Sequence, residues 1–207
     1  MRKVLGIVFF QMVFTLSMAL YSSFNDSFAS IVRNPATLIS AVLLLFLSMT
    51  TLLCCDLTRA VPANYFLLFL FTLSQSVLVS VTASMYKPES VILAIVILVI
   101  VTTCLWFASL CMTTSEDYAR NMLLAIAIGC IIQMAAFPFY FAGRAFDTYL
   151  MIEGLGGSLI YGAYVAIDLH LIAEKIDIDD YILGAITLYV DLITLFIKIL
   201  QVVGKRK

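Results

Sequence analysis

Two aspartates stand where aspartates are rare. Asp191 is the only ionisable residue in LYVDLITLF, inside an apolar run over 182–203. Asp168 lies in GSLIYGAYVAIDLHLI, near the end of the preceding apolar run. A carboxylate near the bilayer midplane costs at least about 2.5–3.5 kcal/mol, so intramembrane carboxylates are functional candidates by default. Two of them at about 5 Å repel by roughly 3 kcal/mol at an effective dielectric of about 20. Such a pair holds one proton in common, and losing it forces the helices apart or draws in a cation. That is the chemistry of a proton-gated cation path.

The neighbouring polar residues fit the same path. Thr187, Asp191, Thr194, Lys198 and Gln201 recur at helical spacing and share one face, with Gly184 extending the line. A face of that kind turns from lipid towards the bundle interior or water, where it lines a pore. The alternative for the threonines and Gln201 is hydrogen bonding between helices. Gly157, Tyr161, Tyr164 and Asp168 form a matching stripe one segment earlier. Measured from the joining loop, Asp168 is about 8 Å deep and Asp191 about 14 Å, so a modest tilt between antiparallel neighbours joins them.

Other charges sit near the two ends of this path. Arg59 is on the same membrane side as Asp168 and is either its salt-bridge partner or an anchor reaching to headgroups. Glu153 lies near the opposite interface, either solvated or lining the far mouth of a cation path. Asp177, Asp179 and Asp180 place negative charge before the last helix, which suits its macrodipole and would concentrate cations at an entrance. His170 and Gln75 read best as hydrogen-bonding groups.

The elements that position these residues follow from composition. The chain has 207 residues, 63% hydrophobic and 12% charged, with a mean hydropathy of +1.10. A soluble domain carries roughly 25% charge, so this is an integral membrane protein in contact with the lipid bilayer. Seven apolar segments of spanning length are read, at 4–24, 35–55, 62–82, 90–112, 119–142, 150–173 and 182–203. Together they predict one all-α bundle over residues 1–207, separated by turns such as NDSFASIVRNP and EKIDIDDY. The first segment, after Met1-Arg2-Lys3, is read as a retained helix rather than a signal peptide, and Pro138 as a kink.

Sidedness is less decided by charge. With seven full spans the basic residues divide almost evenly between the two sides. If the last segment dips in and returns, Lys205, Arg206 and Lys207 join the N-terminal side and restore a bias. Segment length favours the full span, with the N-terminus cytosolic. Asn25-Asp26-Ser27 is a glycosylation sequon hard against the membrane.

Several functions are excluded or given no support. The net charge of −1 argues against nucleic acid as a partner. Cys54, Cys55, Cys104, Cys111 and Cys130 lack metal-ligand spacing and read as small hydrophobes, with acylation the alternative for the first two. There is no nucleophile with a base and no phosphate loop, so no enzyme activity and no cofactor is expected.

The residues resemble the transmembrane Bax-inhibitor-motif family, also called lifeguard or Golgi anti-apoptotic proteins. The resemblance runs from RKVLGIVFFQ through RAVPANYFLLFLFTLSQS and is strongest in GSLIYGAYVAIDLHLI and DDYILGAITLYVDLITLFIKILQVV. Asp168, the Asp179-Asp180-Tyr181 turn and Asp191 match the family's motif. The resemblance implies a bundle of seven transmembrane helices with the last helix central. It implies a passive calcium leak from the Golgi or endoplasmic reticulum, with the plasma membrane as the alternative location, and suppression of cell death. By position Asp168 and Asp191 take the role of pH sensor, Arg59 that of the arginine paired with one of them, and calcium passes transiently between the aspartates. Leu169 stands where the family often has Thr, and Thr187 and Thr194 where it has Asn.

Three rivals use the same features. Presenilin-like proteases also carry aspartates on their sixth and seventh helices, but need Gly-x-Gly-Asp where this chain has Leu-Tyr-Val-Asp. A seven-helix receptor would need longer loops. An interaction protein, whose aspartates fix packing while other membrane proteins of the cell-death machinery bind it, is the strongest competitor.

Overall fold

Inside lipid every backbone N–H and C=O must be satisfied without water, which a helix achieves within one segment. The computed structural model describes residues 2–54, 62–111, 123, 126–128, 130–131, 146–174 and 181–207. Its helices are α1 (Arg2–Phe24), α2 (Asp26–Val32), α3 (Pro35–Cys54), α4 (Ala63–Ser84), α5 (Pro88–Cys111), α6 (Phe146–Glu174) and α7 (Tyr181–Val203). Among the described residues, 6 helices are long and apolar enough to cross a membrane, all but α2. The segment expected over 119–142 lies outside the described residues, apart from a few helical positions between 123 and 131.

The stretch NDSFASIVRNP, expected as a turn, contains α2. Asn25 caps it, its side chain accepting from the N–H groups of Ser27 at 3.0 Å and Phe28 at 3.2 Å. An Asn cap satisfies two otherwise orphaned amides and makes a 7-residue helix worthwhile. Ala29 and Val32 are the face that this helix buries. The sequon asparagine is therefore held by its own helix cap, and its amide also donates to the Tyr21 hydroxyl at 3.0 Å.

Packing centres on different helices to different degrees. In α7, 61% of the apolar stretch is buried, against 17% in α3. Tyr189, Phe196, Ile186 and Ile193 of α7 are almost wholly enclosed, and α7 touches α1, α4, α5 and α6. Phe46 and Leu47 of α3 and Val99 and Ile100 of α5 stay exposed, which suits surfaces that face lipid tails.

The last helix is unbroken over its 23 residues, about 34 Å at 1.5 Å per residue. Its start lies beside the N-terminus, with Lys3 Nζ 5.6 Å from the centre of the Tyr181 ring. Its far end lies beside the α1–α2 and α4–α5 turns. There Lys87 N–H donates to the Lys205 carbonyl at 2.9 Å, and Lys207 N–H to the Met85 carbonyl at 3.0 Å. Lys207 Nζ reaches the Ser23 carbonyl at 2.8 Å and Asp26 at 3.2 Å. The helix does not dip in and return, and the basic tail sits at the end of the bundle opposite Lys3.

Candidate functional site along the α6–α7 seam

The seam is tight because α6 carries glycines where α7 crosses it. A Cβ at Gly154 would lie 2.9 Å from the Lys198 carbonyl and 3.0 Å from Gln201 Cβ. One at Gly157 would lie 2.6 Å from Lys198 Cδ. Small residues let helix backbones approach in lipid, where packing rather than the hydrophobic effect drives association. The seam then presents polar side chains to each other instead of to lipid.

Towards the Tyr181 end, the Asp168 and Asp191 carboxyls come within side-chain hydrogen-bonding range of each other. Both residues are half-buried. Asp168 Oδ2 is buried with no donor placed against it. A contact between two carboxyls needs a proton between them or a cation beside them.

At the other end, Lys198 and Glu153 form a direct ion pair across the seam, with side chains 15% and 19% exposed. Neither is an open lining group: each closes the other. Gln201, one turn beyond Lys198, has a buried Oε1 with no hydrogen-bond partner. It borders a cavity of about 360 Å³ shared with Tyr86, Leu150, Gly204, Lys205 and Arg206.

The two threonines of the stripe bond within their own helix. Thr187 is exposed, and its hydroxyl donates back to Leu183 at 3.1 Å and Gly184 at 3.3 Å. Thr194 donates to the Val190 carbonyl at 2.8 Å. A threonine hydroxyl reaches the carbonyl one turn back, and it does so here in preference to a neighbouring helix. Arg59, Asp177, Asp179 and Asp180 lie outside the described residues. Among the described residues no group of three or more His, Cys, Asp or Glu side chains could hold a metal.

Sequence reasoning passed over a second polar seam, between α1, α4 and α7. Gln11 Nε2 donates to Thr72 Oγ1 at 2.7 Å. Thr15 meets Ser76 at 2.8 Å and the Tyr189 hydroxyl at 2.7 Å. Because Ser76 donates to the Thr72 carbonyl, its single proton is committed. Thr15 therefore donates to Ser76, and Tyr189 to Thr15. Ser22 also donates to the Ser80 carbonyl at 2.8 Å, and Arg33 to Ser84 Oγ at 2.8 Å. The signal was present: Thr72, Ser76, Ser80 and Ser84 recur every fourth residue on α4.

Among the described residues, the fold and this seam define a polytopic, helical membrane protein whose half-buried charged side chains gather between α6 and α7. The chain belongs to the family described as inhibitor of apoptosis-promoting Bax1, whose model matches residues 1–207. It is 26% identical over 215 residues to Protein lifeguard 3 of Homo sapiens, an alignment covering 99% of this chain and 68% of that protein. Against Protein lifeguard 3 of Mus musculus the identity is 25% over 213 residues, with the same coverage of 99% and 68%. Protein lifeguard 4 of Mus musculus is 27% identical over 153 residues, covering 70% of this chain and 60% of that protein.

Proposed function

We propose that this chain is a pH-sensitive calcium leak channel of an intracellular membrane, Golgi or endoplasmic reticulum, that lowers store calcium and suppresses cell death. The observation that supports this reading is the close approach of the half-buried Asp168 and Asp191 carboxyls on α6 and α7, with Asp168 Oδ2 enclosed and without a hydrogen-bond partner. While they share a proton the seam is held shut. When it leaves, two negative charges face each other and either part the helices or admit a cation, so flux rises with pH. Calcium, which takes oxygen ligands, suits a carboxylate pair. Membership in a family named for inhibiting apoptosis supports the link to cell death. The test is calcium entry into dye-loaded proteoliposomes containing the purified chain. Entry that grows from about pH 5 to 8, the range in which such switches work, supports the leak. Folded protein that passes no calcium at any pH overturns it.

A second reading, a non-conducting protein that acts by binding partners, is favoured by one group of observations. Thr187 and Thr194 bond to their own helix, and Lys198 is closed on Glu153. In that reading the carboxyl pair only fixes how α6 packs on α7. Absence of flux, with retention of cell-death proteins on the immobilised chain that Asp191→Ala abolishes, would establish it.

A further inference from the structure

The Glu153–Lys198 pair is the charged group that the aspartate contact does not account for. An ion pair taken out of water is retained only where geometry is good, and removing one partner strands the other charge. Here the geometry is built by glycines. The lysine stem lies across α6 at Gly157, where a Cβ would meet Cδ at 2.6 Å, Cε at 2.8 Å and Cγ at 2.9 Å. At Gly154 a Cβ would meet the lysine's own carbonyl at 2.9 Å. A side chain in place of the Gly157 hydrogen would displace the stem that carries the ammonium to Glu153.

The ammonium sits on a carboxylate, and a further oxygen group lies one turn along the same helix face. Glu153 supplies a half-buried carboxylate. Gln201, on the same face of α7, supplies a buried amide oxygen without a partner. Gln201 also borders the cavity of about 360 Å³ that it shares with Tyr86 and Lys205, one helical turn beyond Lys198. Carboxylate and amide oxygens are the ligands that hard cations such as calcium select. Lysine is a compact, strongly hydrated point charge on a flexible stem, able to swing away as a unit.

Resting on the leak reading above, we propose that Glu153 is a second cation site on the tail side of the α6–α7 seam, and that Lys198 is its tethered occupant. A cation moving along the seam must displace this ammonium, which makes the pair a plug in series with the aspartates. The plug sets how much passes and disfavours further positive charge while it is seated.

The test removes the plug without removing the site. Lys198→Met keeps the stem and deletes the charge; Glu153→Gln in the same background deletes the site. In lipid nanodiscs, calcium should raise the melting temperature of Lys198→Met beyond the wild-type response, and the double variant should lose that excess. In proteoliposomes Lys198→Met should pass calcium at least about tenfold faster, since a fixed positive charge at close range no longer opposes entry. Gly157→Ala, which displaces the stem while keeping both charges, should shift both readouts the same way and serves if Lys198→Met does not fold. A folded variant with the wild-type calcium response and wild-type flux overturns the plug. The two readings fail separately. If calcium stabilises Lys198→Met through Glu153 while no variant conducts, the site stands and the leak falls. If wild type conducts and Lys198→Met behaves like it, the leak stands and the plug falls.

Discussion

The α6–α7 seam makes opposite predictions for glycines on a single helix. At Gly154 an added Cβ would lie 2.9 Å from the Lys198 carbonyl and 3.0 Å from both Gln201 Cβ and Val202 Cγ2. Ordinary contact starts at 3.4 Å, so Gly154→Ala must move α7 backbone by several tenths of an ångström against packing on four helices. Overpacking of that kind typically costs about 1–3 kcal/mol. At Gly157 the close atoms belong to the lysine stem, which can swing aside. At Gly162 nothing lies within 4 Å. Alanine in a helix interior gains roughly 0.5–1 kcal/mol over glycine. Gly162→Ala should therefore be stabilised by up to that amount, Gly157→Ala should fall below it because the displaced stem weakens the pair with Glu153, and Gly154→Ala should lose about 1–2 kcal/mol net. Thermal unfolding in nanodiscs, followed by circular dichroism, reads the order directly. At roughly 2–4 °C per kcal/mol for a chain of this size, Gly162→Ala and Gly154→Ala should differ by several degrees. Equal melting temperatures for those two variants would refute the claim that α6 and α7 are in backbone contact at Gly154.

The remaining predictions concern the second seam and the chain ends. Tyr189→Phe and Thr15→Val should each cost about 0.5–1.5 kcal/mol, and together less than their sum because they share one hydrogen bond; additive losses in a double-mutant cycle would break the link between α1 and α7. Arg33→Ala removes two hydrogen bonds to Ser84, at 2.8 Å to its Oγ and 2.6 Å to its carbonyl, and should lose about 1–3 kcal/mol in the same melting assay. Asp26→Asn should leave stability unchanged, because that carboxylate is 93% exposed and exposed ion pairs contribute little.

Much of the architecture was legible because bilayer thickness fixes helix length. Apolar runs read at 35–55 and 182–203 appear as helices Pro35–Cys54 and Tyr181–Val203. The run read from 150 starts at Phe146 instead, since Asp147 and Thr148 lowered local hydropathy without interrupting the helix. The short α2 was missed because its signal is a cap, not a length. The near-even charge division left the last segment undecided, and the tail contacts with Met85, Lys87 and Ser23 decide it. At the site, spacing put Asp168 and Asp191 on facing stripes of adjacent helices, and both side chains are half-buried there. Spacing could not show that Glu153 and Lys198 would neutralise each other, because that depends on the register of α6 against α7. Nor could it show the inward bonding of Thr187 and Thr194, a choice of rotamer that helical periodicity leaves open.

The central claim is that the Asp168–Asp191 contact is a proton-dependent gate, and it is tested most directly by one comparison. Calcium entry into proteoliposomes is measured between about pH 5 and 8 for wild type and for Asp191→Asn, with circular dichroism confirming that both are folded. An amide cannot lose the shared proton and leave two facing charges. The account predicts that wild-type flux climbs with pH while the variant's flux is flat across the range. A variant that keeps the wild-type pH profile would contradict it and move the pH response, if any, away from this pair.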